Sequence, residues 1–128
     1  MNTLPDSTAP VHFGVDVAKD ELVLDCLGRI LRFTNNPKGI AALLKTISKA
    51  AARPYIVCEA TAGYERALAN AALSTGILVS VVLPQRIRSY ARSEGQMAKS
   101  DPIDARLLSA FGSSSKKLKP LMRKDSNR

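Results

Sequence analysis

Residues 11–18, VHFGVDVA, alternate so that Val11, Phe13, Val15 and Val17 fall on one side of a strand and His12, Gly14, Asp16 and Ala18 on the other. ELVLDCL reads as a second strand, and a turn at Gly28-Arg29 leads into a third, ILRFT, so the connections are tight enough to make an antiparallel meander. Asn36 then sits where a helix cap belongs, with Pro37 at the first helical position and Ile40, Leu43, Leu44 and Ile47 at helical spacing. This helix ends near Arg53-Pro54. YIVCEA follows as a short, nearly all-apolar strand of the kind buried on both faces of a sheet, with Glu59 near its carboxyl end.

The pattern predicts a second helix from Tyr64 to about Thr75, stopped by Gly76, and then the strand ILVSVV. Pro84 opens a third helix, closed by Gly95, and a fourth is expected from Pro102 to about Phe111 after the loop QMAKS. The order is strand, strand, strand, helix, strand, helix, strand, helix, helix: an α/β domain whose mixed sheet joins an antiparallel meander to later parallel strands reached through helices. The expected organisation is a tail over residues 1–10, one domain over 11–112, and a basic linker or solvated tail over 113–128.

Composition narrows the chemistry. The 128 residues are 45% hydrophobic, enough for one core, and 19 Lys plus Arg against 11 Asp plus Glu leave a charge of +8, which favours a polyanionic partner. MNTLPDSTAP lacks the basic start and apolar run of a secretion signal, and no uninterrupted apolar stretch is long enough to span a bilayer, so a cytoplasmic protein with no membrane partner is expected. Cys26 and Cys58 lie in apolar segments without a second Cys or a His at ligand spacing, and read as buried free thiols. His12 is the single histidine, which excludes a histidine zinc site or a Ser-His-Asp triad within this chain. The available chemistry is that of carboxylates.

Asp16 interrupts an apolar strand, where an ionised group needs water, a partner or a metal; an exposed strand edge would meet that need as well. Glu59 ends a buried strand, and α/β sheets place ligands beyond the carboxyl ends of such strands, although pairing with Lys99 or an Arg is an alternative. Asp101 and Asp104 form an Asp-Pro-x-Asp helix start, with Asp101 as the expected cap; the same spacing would put both acids on one helix face, about 5–6 Å apart and close enough to share an ion. Together these four acids make a set of hard oxygen ligands for Mg²⁺, with which a phosphodiester could be cut. Arg86, Arg88, Arg92, Lys99 and Arg106 surround the last two helices, where a phosphate backbone would approach; a solvated helix face is the plainer account of each. Core packing accounts better than base stacking for Tyr90 and Phe111.

GVDVAKDEL, FTNNPKGI, CEATAGYE and LPQRIRSYARSEGQMAKSDPIDARLLSAF, in that order, resemble the amino-terminal domain of the DEDD transposases of insertion sequences, a family that includes the Piv invertase and recombinases guided by a bridge RNA. The resemblance covers about residues 11–112. It implies a RuvC-like, ribonuclease H-like fold in which Asp16, Glu59, Asp101 and Asp104 fall on the D, E, D and D positions, catalytic residues and ligands of Mg²⁺ for which Mn²⁺ can substitute. It implies DNA strand cleavage and transfer in transposition, DNA as partner, a guide RNA as a further candidate partner, and a homo-oligomer for the full-length form. Two departures are mild: Thr61-Ala62-Gly63-Tyr64 stands where the family usually reads Thr-Gly-x-Tyr, and Ser100 replaces a Thr. A larger one is length, because family members continue into a domain with a nucleophilic serine. The competing expectation is therefore a module that binds nucleic acid or dimerises without cutting. An actin-like ATPase is disfavoured, since Val17-Ala18-Lys19-Asp20 offers no glycine to a phosphate.

Overall fold

The computed structural model describes residues 9–95, 102–115 and 118–122. Five strands, β1 (Val11–Val17), β2 (Glu21–Cys26), β3 (Arg29–Thr34), β4 (Pro54–Glu59) and β5 (Leu78–Val82), form one sheet in the order β3-β2-β1-β4-β5. The first three pair antiparallel, and β4 and β5 add in parallel beside β1. The described residues also form four helices, α1 (Pro37–Ala50), α2 (Arg66–Ser74), α3 (Pro84–Ser93) and α4 (Ala105–Ser114).

The meander closes by local chemistry. Ala18 N–H donates to Glu21 O at 2.9 Å in the first turn. The second turn is centred on Leu27 and Gly28 rather than Gly28-Arg29: both have positive φ, 54° and 97°, while Arg29 is already paired with Cys26. Two left-handed residues match the right-handed strand twist in so short a hairpin, and the buried Asp25 carboxylate accepts from Gly28 N–H at 2.8 Å to hold the turn.

Strand alternation sorts the side chains into two cores. Phe13, Val15 and Val17 of β1, Ile56 and Cys58 of β4 and Val79 of β5 pack beneath α1 and α2. The intervening residues Tyr55, Val57 and Val82 face Ile87 of α3 and Leu108 and Phe111 of α4. The domain is thus a three-layer sandwich, helices on both faces of the sheet.

α1 begins as expected, with Asn36 accepting from Gly39 N–H at 2.8 Å and Pro37 in the first turn. α2 starts later than its hydrophobic pattern suggests, because residues 61–64 fold as a turn in which Ala62 and Gly63 both take positive φ. α4 also starts later, at Ala105, and its cap is Asp104 rather than Asp101. Residues 118–122, expected as part of a solvated tail, run beside β5: Leu121 N–H donates to Val79 O at 2.7 Å and Ser80 Oγ to Lys119 O at 2.6 Å. Ser80 is buried and bonded to Tyr55 Oη at 2.7 Å, so the segment satisfies polar groups at the sheet edge that would otherwise be enclosed without partners.

Candidate functional site

The parallel ladder between β1 and β4 ends at the pair Val15 and Cys58. Asp16 and Glu59 each come one residue later, so both leave the face of the sheet that α3 and α4 cover, at the carboxyl ends of neighbouring parallel strands. Both are half-buried. Burial raises the Asp16 carboxyl above its ordinary range, and the charges of Asp104 and Glu21 push it further in the same direction. Glu59 is raised by burial and then by Asp16, while the Arg88 guanidinium partly offsets the rise. Asp16 therefore feels acids from β2 and from the start of α4, and itself bears on Glu59 of β4. Protons or cations gathered there relieve the repulsion.

The position of α4 follows from a close approach. Gly14 lies on the same face of β1 as Asp16, and a Cβ there would run into Ala105 O, with Ser109 N at 2.6 Å and Leu108 Cβ at 2.9 Å. Only glycine lets the helix backbone sit this close to a strand. Gly14 N–H donates to Ser109 Oγ at 2.6 Å, at a point where β1 has no β2 partner left. Gly112, one helical turn further, leaves room for His12, whose ring lies 4.8 Å from that of Tyr55. These contacts seat the first turn of α4 over β1 and bring Asp104 within electrostatic reach of Asp16. Asp104 also accepts from Leu107 N–H at 2.9 Å as the helix cap, which uses one of its oxygens.

The structure thus brings Asp16, Glu59 and Asp104 into mutual influence through Asp16. The spacing expected of Asp101 and Asp104 on one helix does not hold at Asp104, because Pro102–Asp104 precede the helix. Asp101 and Lys99 lie outside the described residues. Among the described residues, no group of three or more His, Cys, Asp or Glu side chains is gathered tightly enough to hold a metal ion as it stands. The chemistry of the donors does fit a hard divalent cation: carboxylate oxygens, those of Asp16 and Glu59 half-buried and that of Asp104 exposed, with like charges bearing on one another.

The described basic residues make different contacts. Arg88 is half-buried and close enough to Glu59 to lower its proton affinity. Arg86 lies over the Phe111 ring, 5.4 Å from its centroid, and Arg92 is exposed near the end of α3. Arg106 reaches the other way, toward Gly28 O of the β2–β3 turn at 3.5 Å. Tyr90 and Phe111 meet edge to face at 5.5 Å and belong to the core under α3 and α4. Cys58 is buried, with its thiol pushed up to about 12 by burial and by Glu65 and Glu59, so it is inert.

Sequence reasoning missed several residues that support the site. Glu65 is buried and accepts from Thr61 N–H at 2.9 Å, fixing the turn after β4, and Thr61 Oγ1 donates to Glu59 O at 3.0 Å. Asn35 donates to carbonyls of two different loops. A glycine inside a strand was a readable sign of close backbone approach at Gly14. Ser109, Glu65 and Asn35 carry no such sign, because their partners are distant in sequence.

A five-stranded mixed sheet with this order, covered by helices on both faces and carrying acids at the ends of β1 and β4, defines a ribonuclease H-like domain of RuvC type. The solved structure of T. thermophilus RuvC, in complex with Holliday junction substrate, superposes with a TM-score of 0.56 over 88% of this chain and 100% of that one, at 18% identity. Residues 13–128 match the IS110-type DEDD transposase family, and the chain belongs to it. The pilin gene-inverting proteins of Moraxella lacunata and Moraxella bovis are each 32% identical over 108 residues, covering 79% of this chain. The chain spans 34% of the length of these relatives. Among the described residues, no helix is long and apolar enough to cross a membrane.

Proposed function

We propose that this chain is the nuclease part of a DEDD transposase, in which Asp16, Glu59 and Asp104, joined by Asp101, hold divalent metal for cleavage and transfer of DNA strands. The single observation that carries the reading is the convergence of Asp16 and Glu59 on one face at the ends of adjacent parallel strands, with Asp104 bearing on Asp16. A hard cation such as Mg²⁺ or Mn²⁺ would supply activation of an attacking water and stabilisation of the leaving oxygen of a phosphodiester. The chain's own residues do the rest. Asp16 and Glu59 present oxygens from the rigid sheet, and α4, seated by Gly14 and Ser109, carries Asp104 to them.

DNA is the proposed substrate. A site built from carboxylates repels phosphate, and Arg88 beside Glu59, with Arg86 and Arg92 on the same helix, would offset that repulsion as a strand approaches. Recombination by the whole protein needs more than this domain, given the third of the length of its relatives that the chain spans. That fraction favours a second reading, in which the domain binds nucleic acid and cuts only together with further parts.

A nicking assay on branched DNA with Mg²⁺ or Mn²⁺ separates the two, comparing the native sequence with Asp16→Asn and Glu59→Gln. Cleavage lost in both variants supports the metal nuclease. Cleavage indifferent to both removes these acids from the reaction, and DNA binding without cleavage by the native chain favours the second reading.

A further inference from the structure

We propose that Asn35 is a positioning residue for the acidic pair, its carboxamide tying together the two segments that leave β1 and β4 just beyond Asp16 and Glu59. The inference rests on the reading of that pair as a cation site.

The need for such a tie is visible in the sheet. Backbone pairing holds β1 to β4 only as far as Val15 and Cys58, so the ladder stops where the acids begin. On its other side the end of β4 remains held, since Glu59 pairs with Val82 and Ala60 N–H donates to Val82 O at 3.0 Å. The β1 side of β4 is therefore where the strand ends are free to separate, and the charges of Asp16 and Glu59 favour separation.

Asn35 spans that opening from a third element, the junction between β3 and α1. Its Nδ2 donates to Ala18 O, just past β1, at 2.9 Å and to Tyr64 O, in the loop after β4, at 3.1 Å. Its backbone N–H donates to Asp20 O at 3.0 Å, which fixes the residue itself. From Tyr64 the connection returns to the acid: Tyr64 N–H donates to Thr61 O at 2.9 Å, and Thr61 Oγ1 donates to Glu59 O at 3.0 Å. A chain of hydrogen bonds thus runs from the residue after β1, through one carboxamide, to the main chain of Glu59. The side chain suits the task because one nitrogen carries two donors for two carbonyl oxygens; a serine hydroxyl offers one and an ionised aspartate none.

The test measures Mn²⁺ binding to the full chain by titration calorimetry, well below the melting temperature, alongside metal-free thermal unfolding. Asn35→Ala is compared with Asp16→Asn, which removes a proposed ligand, and with Leu44→Ala, which opens a cavity in α1 away from the acids. The expected result is roughly tenfold weaker Mn²⁺ binding in Asn35→Ala, within the range seen when residues supporting metal ligands are removed, with unchanged affinity in Leu44→Ala. Native affinity in Asn35→Ala while Asp16→Asn abolishes binding overturns the role of Asn35 and leaves the cation site standing. No Mn²⁺ binding by the native chain overturns both. Equal weakening in Leu44→Ala shows general softening of the fold and also overturns the positioning role. Should Asn35→Ala fail to fold, Asn35→Ser, with one donor left, is measured in its place, and native affinity there counts against the proposal in the same way.

Discussion

Asp16 and Glu59 stand side by side on adjacent parallel strands, each one residue past Val15 and Cys58, the last pair of the ladder that joins β1 to β4. Each is raised in proton affinity by burial, and Asp16 is the largest charged contributor to the rise at Glu59. Two half-buried acids on neighbouring strands, each held above its ordinary range, destabilise the fold when both are ionised, which gives the site a signature in stability.

The first expected outcome concerns pH. A carboxyl whose folded pKa lies above its unfolded value binds its proton more tightly in the folded state, so its stabilising effect is full below the unfolded value and is lost as pH rises through the folded one. For Asp16 and Glu59 the window opens near the ordinary values of 3.8 and 4.5 and extends upward. In metal-free buffer, Asp16→Asn should therefore gain stability relative to the native chain as pH rises across that window. Denaturant unfolding at a series of pH values measures the difference, and a gap that is flat or narrows with rising pH contradicts it.

Divalent metal should reverse that penalty. Mn²⁺ at about 100 times its dissociation constant should stabilise the native chain by about 2.7 kcal/mol, seen as a rise in melting temperature. The rise should be small or absent in Asp16→Asn and in Glu59→Gln, and the same substitutions should slow nicking by more than about a hundredfold, beyond the loss typical of supporting residues alone.

Gly14 and Ser109 make a separate test of how α4 is held. Gly14→Ala places a methyl group against Ala105 O and the backbone of Ser109, neither of which can move without the helix, and should cost about 1–3 kcal/mol. Ser109→Ala leaves Gly14 N–H without its 2.6 Å acceptor and should cost about 1 kcal/mol. Chemical denaturation gives both values. Because the helix carries Asp104, Gly14→Ala should also weaken Mn²⁺ binding.

His12 titrates in the opposite sense to the acids. Burial against Tyr55 lowers its pKa below 6.5, so the folded state takes up its proton later than the unfolded chain does. The stability this allows is full above 6.5 and falls as pH drops through the folded value. His12→Phe, which keeps a ring against Tyr55, should lose less stability between neutral pH and pH 5.5 than the native chain, as followed by thermal melts.

Removing a single exposed cation should change DNA binding modestly and in a defined way. Arg92→Gln is expected to weaken binding across sequences and to reduce the slope of log affinity against log salt by about 1. An unchanged slope would mean that Arg92 meets no phosphate.

Local signals such as the alternation in VHFGVDVA, the capped start of α1, the apolar run of YIVCEA and the helix stops and starts at Gly76, Pro84 and Gly95 gave the type and order of the described elements, because each depends on residues a few positions apart. The same patterns put Asp16 within the first strand and Glu59 near the carboxyl end of YIVCEA. The sequence pattern misplaced what competes locally: positive φ at Leu27, Ala62 and Gly63 moved the hairpin turn and delayed α2, and Asp104 took the capping role expected of Asp101. Which strands lie side by side is not a local property. Only the tertiary structure set β4 next to β1 in the register that brings Asp16 beside Glu59, and laid α4 on Gly14 so that Asp104 bears on Asp16. The physical reason is that register and helix docking are chosen by long-range backbone hydrogen bonds and by the fit of side chains across the two cores, where partners such as Gly14 and Ser109, or Asn35 and Tyr64, are joined by space rather than by spacing.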